Sequence, residues 1–162
     1  MIKEVKALEN IKNRNKSITI FLAGGCGATN WRQKVIDDII KDIEFTSTLK
    51  PIKKDILLIN PLQDNYEELY EEQTFWEFEN LNKCDILVFW FTPDTLNPTS
   101  LYELGRYGAA FPDKLLTVGI APGYEKKDMI IKQLELSRRD VKITEDINDM
   151  SLNIIELIYK IK

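Results

Sequence analysis

The stretch Cys84–Gly105, CDILVFWFTPDTLNPTSLYELG, decides the fold class of this chain. Its uninterrupted apolar run, Ile86–Phe91, is typical of a strand buried on both faces, and such strands belong to parallel sheets. A polar, proline-containing loop follows, and then the apolar spacing of a helix over Leu101–Phe111. Ligands of such sheets bind beyond the carboxyl ends of the strands, and the stretch delivers one carboxylate there, Glu103.

The same alternation of strand and helix runs through the rest of the chain. Apolar, β-branched runs predict further strands, and apolar residues at helical spacing predict further helices. The additional predicted strands are 17–23, 55–62, 115–120 and 141–144, and the additional predicted helices are 31–43, 66–81, 127–137 and 147–161.

Strands that alternate with single helices form a parallel sheet with helices on both faces. We therefore predict an α/β fold, a flavodoxin-like three-layer sandwich whose five-stranded parallel sheet has the order 2-1-3-4-5. That order places the first and third predicted strands side by side, so the loops after them line one crevice. We expect a single domain over residues 1–162, with residues 1–15 as a peripheral N-terminal helix or tail.

Composition narrows the classes of function. The chain has a net charge of −4, which argues against nucleic acid as a partner. No apolar run is long enough to span a bilayer and no signal peptide is visible, so we expect no membrane partner. Two cysteines, Cys26 and Cys84, indicate a reducing compartment, and we expect a cytoplasmic protein.

The chain contains no histidine. Serine–histidine and cysteine–histidine catalysis and histidine-ligated metals are therefore excluded. We predict no metal and no cofactor. Acid–base or nucleophilic chemistry has to come from carboxylates, tyrosine, lysine or cysteine.

Glu103 has two interpretations. Ser100 followed by a glutamate three residues later fits a capping box, in which Glu103 only stabilises the start of a helix. Its place in the predicted crevice, with Gly105 allowing close packing behind the helix, fits a nucleophile instead. The helix dipole would keep such a carboxylate ionised near neutral pH, and attack on a sugar carbon requires an ionised carboxylate.

Three other polar residues are candidates for substrate binding. Glu77 lies among aromatic residues near the end of a predicted helix, where a solvated helix face is the alternative. Asp85 opens the third predicted strand, a place where aspartates more often hydrogen-bond to backbone. Asn97 precedes Pro98 and is expected to be extended, either as a turn residue or to read the edge of a base.

A glycine-rich loop follows the first predicted strand. Gly24 and Gly25 permit close approach of a ligand, although the spacing matches neither a P-loop nor a dinucleotide-binding loop. Trp31 and Arg32 open the next helix. A core tryptophan and a surface arginine are one interpretation, and stacking on substrate and anion binding are the other.

Three segments share a distinctive order and spacing. They are Ile-Phe-Leu-Ala-Gly at 20–24, Trp76-Glu77 ahead of Asp-Ile-Leu-Val-Phe-Trp-Phe at 85–91, and Leu-Tyr-Glu-Leu-Gly at 101–105. Together they resemble the nucleoside 2-deoxyribosyltransferase family, in its deoxyribosyltransferase-like branch. The resemblance covers nearly the whole chain.

The resemblance implies roles for individual residues. Glu103 falls on the nucleophile of the family, and Glu77 falls on an aspartate that binds substrate. Asn97 falls on an aspartate that contacts the base, and Phe21 falls on a tyrosine that orients the nucleophile. This sequence therefore departs from the family at positions 77, 97 and 21. Because family members complete each site with residues of a neighbouring subunit, the resemblance also implies a homo-oligomer, a dimer or larger.

The resemblance implies an enzyme of nucleotide metabolism and salvage that binds a nucleoside or nucleotide. The main expectation is cleavage of the N-glycosidic bond of a (deoxy)nucleoside through a covalent glycosyl-Glu103 intermediate, with transfer of the sugar to another base. One alternative is hydrolysis of a nucleoside 5′-monophosphate, for whose phosphate Arg32 and the glycine loop are the visible candidates. The other is a module that binds or senses a nucleotide without cleaving it, which Asn97 and Phe21 favour.

Overall fold

The computed structural model describes residues 1–27, 29–46, 50–63 and 67–161. Within these ranges the structure has six strands, five α-helices and a short 3₁₀ helix at Arg14–Lys16. The strands are β1 (Ile2–Lys6), β2 (Ser17–Gly24), β3 (Asp55–Asn60), β4 (Ile86–Phe91), β5 (Leu115–Ile120) and β6 (Lys142–Thr144). The helices are α1 (Trp31–Thr46), α2 (Tyr70–Lys83), α3 (Pro98–Ala110), α4 (Lys127–Ser137) and α5 (Ile147–Lys160).

All strand neighbours are parallel, and the sheet order is β1-β3-β2-β4-β5-β6. The predicted α/β, flavodoxin-like sandwich is confirmed. The five predicted strands are β2 to β6, and they occur in the predicted order. The observed sheet differs in having six strands rather than five, because the N-terminal segment adds one at the edge.

The prediction of a helix or tail at the N-terminus is wrong for Ile2–Lys6. These residues form β1, which pairs with β3 from Ile2 opposite Ile56 to Lys6 opposite Asn60. Only Val5 is buried. Charged residues are a common feature of edge strands, where they discourage pairing with other chains. The lysines and glutamate that made this segment resemble a solvated tail are therefore compatible with a strand.

The sheet packs on helices through both faces, because successive side chains of a strand point to opposite sides. Ile20 and Leu22 of β2 join a core with α1 and α5. Phe21, between them in sequence, joins the other core, to which α2, α3 and α4 contribute. None of the helices in the described part of the chain combines the length and apolar character that crossing a membrane requires.

Two helix starts differ from those predicted. The helix predicted from Leu101 begins at Pro98, since proline is well suited to the first helical position. The helix predicted from residue 66 begins at Tyr70, and residue 66 itself lies outside the described residues. The first of these shifts changes the interpretation of Glu103.

Candidate active site

A cavity of about 530 Å³ lies beyond the carboxyl ends of β2 and β4, the two strands predicted to be neighbours at the crevice. Its volume is within the range of about 300–1,000 Å³ usual for small-molecule sites. The wall includes residues from the end of β2, from α2 and from the start of α3. Six of them are central to its chemistry: Phe21, Gly24, Gln73, Glu77, Asn97 and Glu103.

Glu103 is not a capping residue. The residue before the first turn of α3 is Asn97, and the helix begins with Pro98. Ser100 is therefore already inside the helix, where its buried side chain lines the cavity. Glu103 lies in the second turn and also lines the cavity. The capping-box interpretation is wrong, and the carboxylate faces the space where a ligand would lie.

Burial raises the pKa of Glu103 to about 8, and the negative charge of Glu77 acts in the same direction. The nearby guanidinium of Arg32 lowers it, but by less. The expectation that the helix dipole keeps Glu103 ionised near neutral pH is therefore wrong. The dipole acts mainly within the first turn, and Glu103 lies beyond it.

Glu77 enters the same cavity from α2. Its Oε1 accepts a hydrogen bond of 2.7 Å from Nε2 of Gln73, one helical turn earlier. Burial raises the pKa of Glu77, while the hydrogen bond from Gln73 and the charge of Arg32 lower it. The solvated-face interpretation is wrong, since this residue presents a partly desolvated carboxyl group to the cavity.

Asn97 lines the cavity from a left-handed backbone conformation, with φ 50° and ψ 52°. The expected extended conformation is wrong. Its Nδ2 donates to the carbonyl oxygens of Thr92, at 3.3 Å, and Thr95, at 2.8 Å. Asparagine tolerates this conformation better than most residues, and its own hydrogen bonds close the loop between β4 and α3.

The glycines after β2 allow three segments to meet. Gly24 has a φ of 134°, and a Cβ there would overlap the backbone of Trp90. A Cβ on Gly25 would overlap Oδ1 of Asn97 and Oγ1 of Thr92. Gly24 lines the cavity, whereas Gly25 packs against the loop that carries Asn97.

The family description "Nucleoside 2-deoxyribosyltransferase like" matches residues 17–124, well over half of the chain. The chain belongs to this family. The match begins at the start of β2 and ends beyond β5, so it includes both helices that contribute carboxylates to the cavity. A comparison with curated proteins gives no match.

Arg32 of this deoxyribosyltransferase-like protein is buried rather than exposed. Its guanidinium donates to three carbonyl oxygens at the end of β2 and beyond it: Leu22 at 2.9 Å, Gly24 at 2.8 Å and Gly25 at 3.0 Å. It also lines the cavity. Arg32 therefore fixes the glycine loop and places a positive charge near the two carboxylates.

Besides Gly25, two residues predicted to bind substrate, Trp31 and Asp85, lie away from the cavity wall of this family member. Trp31 is buried in the core, packs against Trp90, and donates from Nε1 to the Gly25 carbonyl at 2.9 Å. Asp85 immediately precedes β4, at the amino edge of the sheet and opposite the cavity. Its Oδ2 accepts hydrogen bonds of 2.7 Å from both N and Oγ1 of Thr19. These hydrogen bonds join the start of β4 to β2. Because Asp85 lies at the amino edge of the sheet, its side chain does not reach the cavity at the carboxyl edge.

Glutamines missed by the sequence analysis complete the wall. Gln63 and Gln73 line the cavity, and each has one buried side-chain atom without a hydrogen-bond partner among the described residues: Nε2 of Gln63 and Oε1 of Gln73. The buried Oγ1 of Thr92, beside Gly25, is also unpartnered. Gln73 was detectable, since it lies four residues before Glu77 on one helix face. Gln63 follows a strand and had no comparable signal.

Proposed function

We propose that this protein cleaves the N-glycosidic bond of a (deoxy)nucleoside, forms a covalent glycosyl ester on Glu103 and transfers the sugar to another base. The supporting observation is the convergence of Glu77 and Glu103 from two helices on one cavity. Enzymes that cleave glycosidic bonds through an oxocarbenium-like transition state usually use a pair of carboxyl groups. The family to which the chain belongs supports a nucleoside as the donor.

In the first step the ionised carboxylate of Glu103 attacks C1′, and the electron pair of the C1′–N bond leaves with the base. The departing nitrogen takes the single proton that the Glu77–Glu103 pair retains at neutral pH, and in the reactive form that proton lies on Glu77. The ester on Glu103 is neutral, so the step removes a charge that burial disfavours. In the second step an acceptor base attacks C1′ from the opposite face, returns a proton to Glu77 and releases Glu103, with net retention.

The raised pKa of Glu103 sets a condition on this mechanism. With a pKa of about 8, about a tenth of Glu103 is ionised at pH 7 in the unliganded cavity. The same burial makes the ionised form a stronger nucleophile, because its basicity is higher. Because the reactive form also needs a proton on Glu77, activity is expected to fall as the pH rises through about 8 and the pair loses its last proton.

The other residues divide into two groups in this proposal. Asn97, Phe21 and Gly24 contact the substrate, since their atoms line the cavity. Gly25, Trp31 and Arg32 act through the loop, which they hold beside the cavity, and Arg32 also lines the cavity itself. Asp85 stabilises the sheet and has no contact with substrate.

Base exchange is the direct test of the function. The wild-type protein is incubated with a 2′-deoxynucleoside and a second free base, and the products are separated by chromatography. We expect a new nucleoside and, in acid-quenched samples, a glycosylated peptide that contains Glu103. Glu103→Gln should lower the rate by about 1,000-fold or more, because it removes the nucleophile. Glu79→Gln is the matched control on α2, where Glu79 pairs with Lys83. Full activity of Glu103→Gln would refute the proposal.

Hydrolysis of a 5′-monophosphate is the second candidate. Thr99 and Ser100 line the cavity at the start of α3, where a helix favours an anion. Arg32 supports this candidate less than the sequence suggested, because its donors are committed to three carbonyls. Free sugar phosphate from nucleotide substrates, with no exchanged base, would select it.

Nucleotide binding without cleavage is the third candidate. Asn97 supplies no proton to a leaving base, because a side-chain amide is not an acid, and its nitrogen donates to the carbonyls of Thr92 and Thr95. Phe21 has no hydroxyl with which to orient Glu103. Recovery of an intact ligand after long incubation, with tight binding in calorimetry, would select this candidate over both reactions.

We further propose that the protein is a homo-oligomer that packs through an aromatic surface on α2 and α3. This surface consists of Phe75, Phe78 and Tyr102, which are 67%, 43% and 68% exposed. The Arg106 guanidinium lies 4.8 Å from the centre of the Phe78 ring and connects the two helices. Because the same helices carry Glu77 and Glu103, a second copy seated here would lie beside the cavity.

A further inference from the structure

Gln73 is a deeply buried polar residue of the cavity wall, with 2% of its surface exposed. Its Nε2 donates to Oε1 of Glu77 at 2.7 Å and to the backbone carbonyl of Pro61 at 2.8 Å. One amide group thus connects the carboxyl group on α2 with the segment that follows β3. Nothing in the proposed mechanism uses the other end of this amide.

The orientation of the Gln73 amide follows from its neighbours. Both the Glu77 carboxylate oxygen and the Pro61 carbonyl are acceptors, so the nitrogen has to face them. The carbonyl oxygen, Oε1, therefore points away from them. It is shielded from water and has no donor within the described residues. A buried acceptor without a donor is unfavourable, and native structures rarely retain one without a reason.

We infer that Gln73 determines the specificity of the site: its amide nitrogen positions Glu77, and its carbonyl oxygen accepts a hydrogen bond from a donor group of the bound nucleoside. This inference rests on the proposed function for the class of ligand. The donor is the 2′-hydroxyl of the sugar or an exocyclic amino group of the base, since each supplies the O–H or N–H that the oxygen lacks.

The second glutamine of the wall supports a polar ligand. Nε2 of Gln63 is a buried donor that finds no partner in the described part of the chain, and Gln63 lines the same cavity as Gln73. The wall thus has an unfilled acceptor and an unfilled donor. A ligand that presents both groups satisfies both atoms, whereas an apolar ligand leaves both unpaired.

Gln73→Met keeps the length of the side chain and removes both functions of the amide. Gln33→Met is the matched control, because Gln33 donates from Nε2 to Asp37 at 2.9 Å, also across one turn, on the exposed face of α1. All variants carry Glu103→Gln, so that ligands remain intact. Dissociation constants are measured by calorimetry for adenosine, cytidine, their 2′-deoxy forms, and the 2′-deoxy forms without the exocyclic amino group.

We expect Gln73→Met to weaken the ligand that carries the recognised donor by about tenfold, and the matching ligand without it by less than about twofold. Loss of selectivity in the ribo–deoxyribo comparison identifies a hydroxyl, and loss in the amino comparison identifies the base. Gln33→Met should leave every constant unchanged. If Gln73→Met fails to fold, Gln73→Glu, which keeps an acceptor oxygen, should retain the preference.

Equal weakening of all ligands, or no weakening, would overturn the inference, as would the absence of binding by any of the six. The result is separable from the test of the reaction. Altered selectivity together with no base exchange in the wild-type protein would refute the transferase proposal and leave the role of Gln73 intact.

Discussion

Glu77 of α2 and Glu103 of α3 line one cavity from two different helices. Burial, and after it the charge of Glu77, raise the pKa of Glu103 to about 8. Like charges in a partly desolvated space disfavour joint ionisation, so the pair retains a proton at neutral pH. The charge of the unliganded site therefore changes within the pH range in which enzymes are normally assayed.

Glu103→Gln should stabilise the unliganded protein at high pH. The folded pKa of about 8 lies above the ordinary value of 4.5, so the folded state binds this proton more tightly than the unfolded state. The resulting stability is fully present below about pH 4.5 and is lost as the pH rises through about 8. Glutamine never ionises. Melting temperatures of the variant and the wild-type protein are measured at pH 5, 7 and 9. The melting temperature of the variant minus that of the wild-type protein should increase with pH, and a pH-independent difference would contradict the raised pKa of Glu103. Glu79→Gln is the control.

Glu77→Gln should shift the titration of Glu103 to lower pH, because the charge of Glu77 is one of the two causes that raise the pKa of Glu103. Burial remains, so the shift should be partial. Carboxyl ¹³C resonances of glutamate-labelled protein measure it directly. The control variant is again Glu79→Gln, which leaves the cavity wall unaltered. An unmoved Glu103 titration would show that the two carboxyl groups do not interact.

Gly25→Ala should destabilise the protein by about 1–3 kcal/mol, because the added Cβ overlaps Oδ1 of Asn97 and Oγ1 of Thr92. Gly105→Ala is the opposite case. Nothing lies within 4 Å of a Cβ at Gly105, so the variant should gain about 0.5–1 kcal/mol from improved helix propensity. The expectation that Gly105 allows close packing is thus wrong. Urea unfolding of both variants measures the two changes in the free energy of unfolding. Changes of the same sign and similar size would contradict the opposite effects predicted for Gly25→Ala and Gly105→Ala.

Asp85→Ala should lower stability without altering substrate affinity. The substitution removes the acceptor for N and Oγ1 of the fully buried Thr19, and unpaired buried donors cost about 1–3 kcal/mol. Chemical unfolding gives the first quantity, and KM in the base-exchange assay gives the second. A KM increase of more than about fivefold, equivalent to about 1 kcal/mol, would indicate that Asp85 contributes to substrate binding.

Replacement of Phe75 and Tyr102 by serine should dissociate the proposed oligomer, because both rings are exposed on one chain and would be covered by a second copy. Sedimentation velocity measures the change in mass. Phe45→Ser, on the exposed end of α1, is the control and should leave the mass unaltered. A wild-type protein that sediments as a monomer at micromolar concentrations would refute the oligomer.

Long apolar runs made most of the fold predictable. The buried strands β2, β3, β4 and β5 each show one, and their alternation with helices implied the parallel order. β1 was missed because its stability depends on pairing with β3 rather than on its own sequence. An edge strand with charged side chains has no local signal that separates it from a solvated tail.

The candidate site was less predictable, since it depends on where helices begin and on what surrounds each side chain. Ser100 and Glu103 matched a capping box at the correct spacing, but Pro98 starts the helix earlier. Arg32 has the sequence context of a surface residue. Only the folded loop brings the carbonyls of Leu22 and Gly25 to its guanidinium. Local sequence does not contain such long-range convergence.

The three carbonyls held by Arg32 have a thermodynamic consequence for recognition. A loop fixed by its own chain loses its conformational entropy when the protein folds, so ligand association does not have to order it. Arg32→Lys removes the planar fork that spans these carbonyls, and an ammonium group cannot replace it. The loop ordering would then move from the folding step to the binding step. Compared with the wild-type protein, this variant should bind its ligand with a larger entropic penalty. A larger share of its affinity should then come from the binding enthalpy, even where the altered side chain makes no contact with the ligand.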